Sequence, residues 1–143
     1  RGLQGGRQRR RACYNRRMNL LLVFLGGGFG AICRYLFGIG VVRLSSPTHG
    51  PLATLMINVL GSFLMGVLIG SMARLSGVTD RWRLLLGIGV LGGFTTFSSF
   101  SLESVLMIER RAYALAAAYV VGSVLLGLTG LMVGLLVMRK LPL

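Results

Sequence analysis

Apolar residues run through this chain in four long blocks, at approximately residues 18–44, 52–75, 84–108 and 112–138, and polar residues gather in the short joints between them. Each block meets the roughly twenty residues that a helix needs to cross the hydrocarbon core of a bilayer. The joint from Arg43 to Pro51 carries Pro47 and Pro51, which end one helix and start the next. Ser76 to Arg81 ends the second block and caps the third, and Glu109-Arg110-Arg111 is the tightest connector. Such joints leave no room for a soluble domain. The pattern therefore predicts an all-α membrane protein whose four spans make up residues 18–143 and hold whatever function it has. The first block is too long for a cleavable leader, contains Arg34 and is followed by no Ala-x-Ala-like site, so it reads as a true span.

The polar residues inside the blocks are not scattered. The run GGFTTFSSFSLE, Gly92 to Glu103, sets a glycine pair, five hydroxyls, three phenylalanines and a carboxylate within one membrane-length segment. An ionisable group near the bilayer centre costs at least a few kcal/mol unless paired or wetted, so this segment lines a path or a site. Gly92-Gly93 followed by Thr95-Thr96 predicts a break in the third helix near Gly92–Thr96. Such breaks occur where backbone lines a cavity or holds an ion, and freed carbonyls suit a cation such as Na⁺. Thr95 or Thr96, Ser99 and Glu103 form one line, and Phe94, Phe97 and Phe100 a second at three-residue spacing. The phenylalanine line is either packing or, with rings turned edge-on beside hydroxyls, a surface that stabilises an anion.

In the second span Thr54, Asn58, Ser62 and Gly66 recur every four residues, which puts them on one helix face. A buried asparagine needs partners. Asn58 either staples two helices by a hydrogen bond or donates to a passing anion. Tyr119, Ser123, Gly127 and Gly134 give the fourth span a small-residue packing face that doubles as a hydroxyl track. Arg34, inside the first span, either snorkels to the interface or pairs with a carboxylate.

Composition agrees with a membrane protein: 54% of the 143 residues are hydrophobic and only 13% are charged. The 22 glycines fit closely packed helices, and Gly26/Gly30, Gly66/Gly70, Gly89/Gly93 and Gly130/Gly134 repeat the small-xxx-small spacing. The net charge of +13 does not point to nucleic acid, because seven of the sixteen basic residues lie in the first seventeen positions and no recognition pattern follows. Cys13 and Cys33 make neither a metal spacing nor a disulfide framework. One histidine, His49, in a joint, and three carboxylates, Asp80, Glu103 and Glu109, make no catalytic constellation.

Beyond Met18 the basic residues are nearly balanced between the two sides of a four-span bundle, with Arg74, Arg81, Arg83, Arg139 and Lys140 against Arg43, Arg110 and Arg111. The seven tail arginines turn this into twelve against three. Either the termini are firmly cytoplasmic, or residues 1–17 are a basic, disordered extension and Met18 is the native start. The composition of the tail and the Met-Asn-Leu-Leu-Leu opening favour the second.

With these residues in view, the chain resembles the Fluc-type (CrcB) fluoride channels from Met18 to its end. The resemblance rests on GGGFGAICRY at Gly26 to Tyr35, PLATLMINVLGSFLMG at Pro51 to Gly66, and GGFTTFSSFSLE at Gly92 to Glu103. It implies a passive fluoride exporter in the bacterial plasma membrane, built as an antiparallel, dual-topology homodimer with two pores and a central structural Na⁺. By resemblance, Asn58 lines the pore and Phe97 and Phe100 turn their ring edges to fluoride. Thr54, Ser99, Glu103, Tyr119 and Ser123 fall on the polar paths, and the backbone carbonyls of Gly92 and Thr95 hold Na⁺. Ala53, where the family usually has glycine, and Gly127, where some members carry a hydroxyl, depart from the pattern. The balanced loops suit insertion in both orientations, and the arginine tail opposes it. A small four-span multidrug-type exporter would need a carboxylate early in the chain, and the first span has none. A scaffold subunit, in which Asn58 and the hydroxyls merely glue helices, is the remaining alternative.

Overall fold

The computed structural model describes the backbone of residues 2–45, 50–74 and 80–141, with side chains for 16–44, 50–74 and 80–141. The described residues are helical, with no strand among them. The elements are α1 (Gly2–Ser45), α2 (Gly50–Met72), α3 (Asp80–Trp82), a π-helical stretch Arg83–Leu91, α4 (Gly92–Phe94), α5 (Phe97–Glu109) and α6 (Tyr113–Lys140). Four segments are long and apolar enough to span a membrane: Arg16–Leu44, Gly50–Met72, Asp80–Glu109 and Tyr113–Lys140. They coincide with the four apolar blocks to within a few residues at each end. The backbone of α1 also takes in the basic extension, which the sequence pattern places outside the helix. Pro47, His49 and residues 76–79 of the expected joints lie outside the described residues.

Two tight crossings build the bundle, and glycine makes each of them. Lipid tails supply no hydrophobic drive between helices, so association depends on backbones coming close enough for dispersion contact. Between α1 and the third span, a Cβ at Gly26 would lie 2.5 Å from Leu85 O, and one at Gly89 would lie 2.9 Å from Gly26 Cα. Gly30 faces Val90 O and Gly93 faces Gly27 O in the same seam. Between α2 and α6, Gly66 faces Leu131 O, Gly134 faces Phe63 O, and Gly70 meets Met138 Cβ. The residue order along both seams makes the partner helices parallel: α1 with the third span, and α2 with α6.

The third span is irregular where it crosses α1. Gly92 closes the π-helical turns with an N–H bond to Gly87 O. Wide turns of this kind are rare and frequently occur at functional sites. After α4 the helix stops. Thr95 (φ −75°, ψ 157°) and Thr96 (φ −148°, ψ 113°) are extended, and α5 begins at Phe97.

The connector from α5 to α6 is made without glycine. Arg111 adopts a left-handed φ of 60°, Ala112 N–H donates to Met107 O at 3.0 Å, and Arg111 N–H donates to Ile108 O at 2.9 Å. This is the double bond pattern that closes many helix C-termini.

At the opposite end of the bundle the Arg74 guanidinium donates to Arg139 O at 3.0 Å and to Leu141 O, tying α2 to the end of α6.

The seams predict a sharp positional contrast. Gly134→Val forces a side chain into Phe63 O and is expected to destabilise the bundle by about 1–3 kcal/mol or more. Gly122→Ala, which meets nothing within 4 Å, is expected to leave stability unchanged within about 0.5 kcal/mol. Thermal unfolding of the purified variants in detergent checks both; equal stability of the two would refute the seam.

Candidate functional site

The break at Thr95–Thr96 is the centre of the site, because its backbone groups lose their helical partners at membrane depth. Thr95 is still tied backwards, its N–H and its Oγ1 each donating to Leu91 O at 3.0 Å. Thr96 N–H would continue the helix by bonding to Gly92 O, but donates instead to Asn58 Oδ1 at 2.8 Å. Asn58 Nδ2 donates in return to Thr96 O at 3.0 Å. One amide on α2 thus satisfies both polar backbone groups of Thr96. Thr96 also caps the helix that follows: its Oγ1 accepts from Ser99 N–H at 3.3 Å and lies 3.1 Å from Ser99 Oγ. Arg34, in α1, donates to Thr95 O at 3.2 Å. Of the partners expected for Arg34, a carboxylate is not the one observed among the described residues: its guanidinium is bound to a carbonyl that the break exposes.

The phenylalanine line is corrected too. Three-residue spacing puts Phe94, Phe97 and Phe100 on one face only if the helix is continuous. The extended pair at Thr95–Thr96 divides them. Phe94 is buried, with an edge-on contact to Phe37 at 6.2 Å between centroids. Phe97 and Phe100 lie 5.6 Å apart beyond the break, and Phe100 continues to Tyr119 at 5.4 Å.

These rings border a crevice of about 360 Å³ lined by Asn58, Thr96, Phe97, Phe100, Ser123 and Gly127 among others. Asn58 Nδ2 carries two hydrogens and Thr96 O takes one. Ser123 Oγ is buried in the crevice wall with no hydrogen-bond partner among the described residues. Along the same two helices, towards the start of α2, Thr54 Oγ1 donates to Glu103 Oε1 at 2.8 Å and Tyr119 OH donates to Glu103 Oε2 at 2.6 Å. One carboxylate is thereby held by hydroxyls from α2 and α6. A second cavity, of about 480 Å³, opens beyond it between Glu103, Gly50 and Arg110. A third, of about 520 Å³, lies on the other side of α2 and is lined by Arg34, Arg43, Thr54, Thr96 and Ser99.

Of the eight residues assigned to the polar path, the structure places Asn58, Phe97, Phe100 and Ser123 around the crevice and Thr54, Glu103 and Tyr119 in the carboxylate cluster, while Ser99 bonds to Thr96 and lines the third cavity instead. What the pattern did not yield is who holds whom. The Asn58–Thr96 and Glu103–Tyr119 pairs join residues 38 and 16 positions apart. No local spacing announces them.

Fold and crevice define a small four-span membrane protein with an uncharged crevice at a helix break. The family model described as CrcB-like protein, Camphor Resistance (CrcB), matches residues 21–135, and the chain belongs to this family. It is 53% identical over 122 residues to a protein of Phenylobacterium zucineum (strain HLK1) named "Fluoride-specific ion channel FluC". It is 52% identical over 122 residues to one of the same name from Caulobacter vibrioides (strain NA1000 / CB15N). In both cases the match covers 85% of this chain and 95% of the relative. A third, from Erythrobacter litoralis (strain HTCC2594), is 54% identical over 123 residues, covering 83% of this chain and 90% of the relative.

The break predicts a stability test. Asn58→Leu leaves both polar groups of Thr96 unpaired at membrane depth, at a cost of about 1–3 kcal/mol for each. The variant is expected to unfold at markedly lower temperature in detergent. Wild-type stability would mean that Asn58 does not hold the break.

Proposed function

We propose that this protein is a passive, fluoride-selective channel that lets toxic fluoride leave the cell. The observation that carries the reading is a crevice where an amide, hydroxyls and phenyl rings share the wall with the aliphatic Val124 and Leu128 and no cationic side chain, in a chain about half identical to proteins named fluoride-specific. Fluoride is small and strongly hydrated, so it crosses only where several donors replace its water. A full positive charge in the wall would hold it. Neutral donors in series bind it weakly enough to release it.

Each group has a share in this exchange. The second N–H of Asn58 and the unpaired hydroxyl of Ser123 donate to the ion, while the positive edges of Phe97 and Phe100 face it. Asn58 thereby does both jobs that the sequence left open, stapling the break with one set of atoms and donating with another. Further along, Thr54 and Tyr119 already donate to an anion, the Glu103 carboxylate. Fluoride takes over those donors as Glu103 yields towards the cavity beside Arg110. Ser99 and Thr96 keep the break rigid behind the path.

The working unit is an antiparallel pair of copies. Phe97 is 79% exposed in the single chain, although a ring that faces the ion needs a wall opposite it. A second copy supplies that wall. The same pairing serves Na⁺. One chain offers the carbonyls of Gly92, freed when Thr96 turns to Asn58, and of Thr95, which has a lone pair left beside the Arg34 bond. Two oxygens are too few for a hard cation, and two copies double them. Bound there, Na⁺ would supply a fixed positive charge that holds the breaks together.

Purified protein in liposomes is expected to release fluoride, read with an electrode, with no chloride release from matched vesicles. Phe97→Ile, Phe100→Ile and Asn58→Asp are each expected to slow fluoride by roughly tenfold or more, the worth of a lost charge-assisted contact. Chloride release equal to fluoride release would exclude selectivity. A second test concerns orientation: in a variant of residues 18–143 lacking Cys33, a cysteine placed at Arg110 is expected to react with an impermeant maleimide from both faces of the membrane. Labelling from one face alone would sink the antiparallel pair.

A further inference from the structure

Serines in membrane helices ordinarily turn the hydroxyl back on their own helix. Ser71 donates to Val67 O, Ser101 to Phe97 O and Ser104 to Phe100 O, at 2.7–2.9 Å. Two crevice serines on facing helices, Ser62 and Ser123, make no such bond among the described residues. Because α2 and α6 run parallel, residues four apart on each form successive rungs, spaced about 6 Å along the axis. The first rung is Thr54 with Tyr119, both on Glu103. The second is Asn58 with Ser123, and the third is Ser62 with Gly127, all four lining the crevice.

At the third rung α6 has no side chain. A Cβ built at Gly127 would stand 3.6 Å from Ser62 Oγ, in ordinary van der Waals contact, so Ser62 supplies beside that position the hydroxyl that α6 lacks at this rung. The geometry points to Ser62 as an ion-binding residue of the pathway, the donor that receives a small hard anion as it leaves the Asn58–Ser123 rung towards the arginine-rich end of the bundle. The hydroxyl suits this position for the same reason as the others: it donates without a charge that would retain the ion. The inference rests on the channel reading above and assigns it one further residue.

The test is fluoride efflux from liposomes holding the full chain. Ser62→Ala is expected to slow fluoride by roughly tenfold, the effect of losing one hydrogen bond to an ion. The double variant Ser62→Ala/Gly127→Ser returns a hydroxyl to the same rung from the other helix, in ordinary van der Waals space, and is expected to recover most of the rate. A merely structural Ser62 would not be rescued in this way. Should Ser62→Ala fail to fold, Ser62→Thr against its isostere Ser62→Val carries the same comparison, with the threonine variant the faster. A Ser62→Ala channel at the wild-type rate, or a folded double variant no faster than the single, overturns the assignment while leaving the channel intact. A wild-type protein that passes no fluoride sinks the channel reading and this inference with it.

Discussion

The pairing of the Asn58 amide with the N–H and C=O of Thr96 is the contact on which the rest of the site depends. A helix can stop inside a bilayer only where protein groups or a water-filled cavity take up the freed backbone groups. Here a side chain of the same chemical kind as the peptide bond does so. It supplies one acceptor and one donor at the spacing that a peptide partner would offer. Once the break is held, Thr96 is free to cap α5, and Phe97 and Phe100 are re-aimed relative to Phe94. Arg34 completes the arrangement from the other side by binding Thr95 O. Three of the four spans therefore meet at two residues.

Close helix approach is the second constraint, and it is answered by glycine rather than by large side chains. The two seams, α1 with the third span and α2 with α6, set the parallel register of their helices. Register in turn decides chemistry. The α2–α6 seam aligns Thr54 with Tyr119, Asn58 with Ser123, and Ser62 with Gly127. A slip of one turn would separate the Glu103 carboxylate from one of its two hydroxyl donors. Packing residues such as Gly66 and Gly134 thus act on the site without touching it.

Charge is arranged with similar economy. The arginines and the lysine lie mostly at the ends of the spans, where water reaches them. Arg34 is the exception, and it is bound to a carbonyl. Glu103, the membrane carboxylate, has both oxygens occupied by hydroxyls. The crevice beside the break is lined by no charged side chain.

Much of this was readable in the sequence. Four apolar blocks set the number of spans, the Gly92–Thr96 run announced the break, and the four-residue recurrence of Thr54, Asn58 and Ser62 set them on one face. These are local properties, because period, propensity and hydropathy act over a turn or two of chain. The same locality explains where the reading went astray. It grouped Phe94 with Phe97 by three-residue spacing although the break it announced falls between them, and it did not find the carbonyl that Arg34 binds. Amino-acid sequence by itself determined which residues are polar, at what depth, and on which side of each helix. Only the tertiary structure decided which pairs of them meet, because a hydrogen bond between residues 38 apart depends on helix register, and register is set by the glycine seams of the whole bundle.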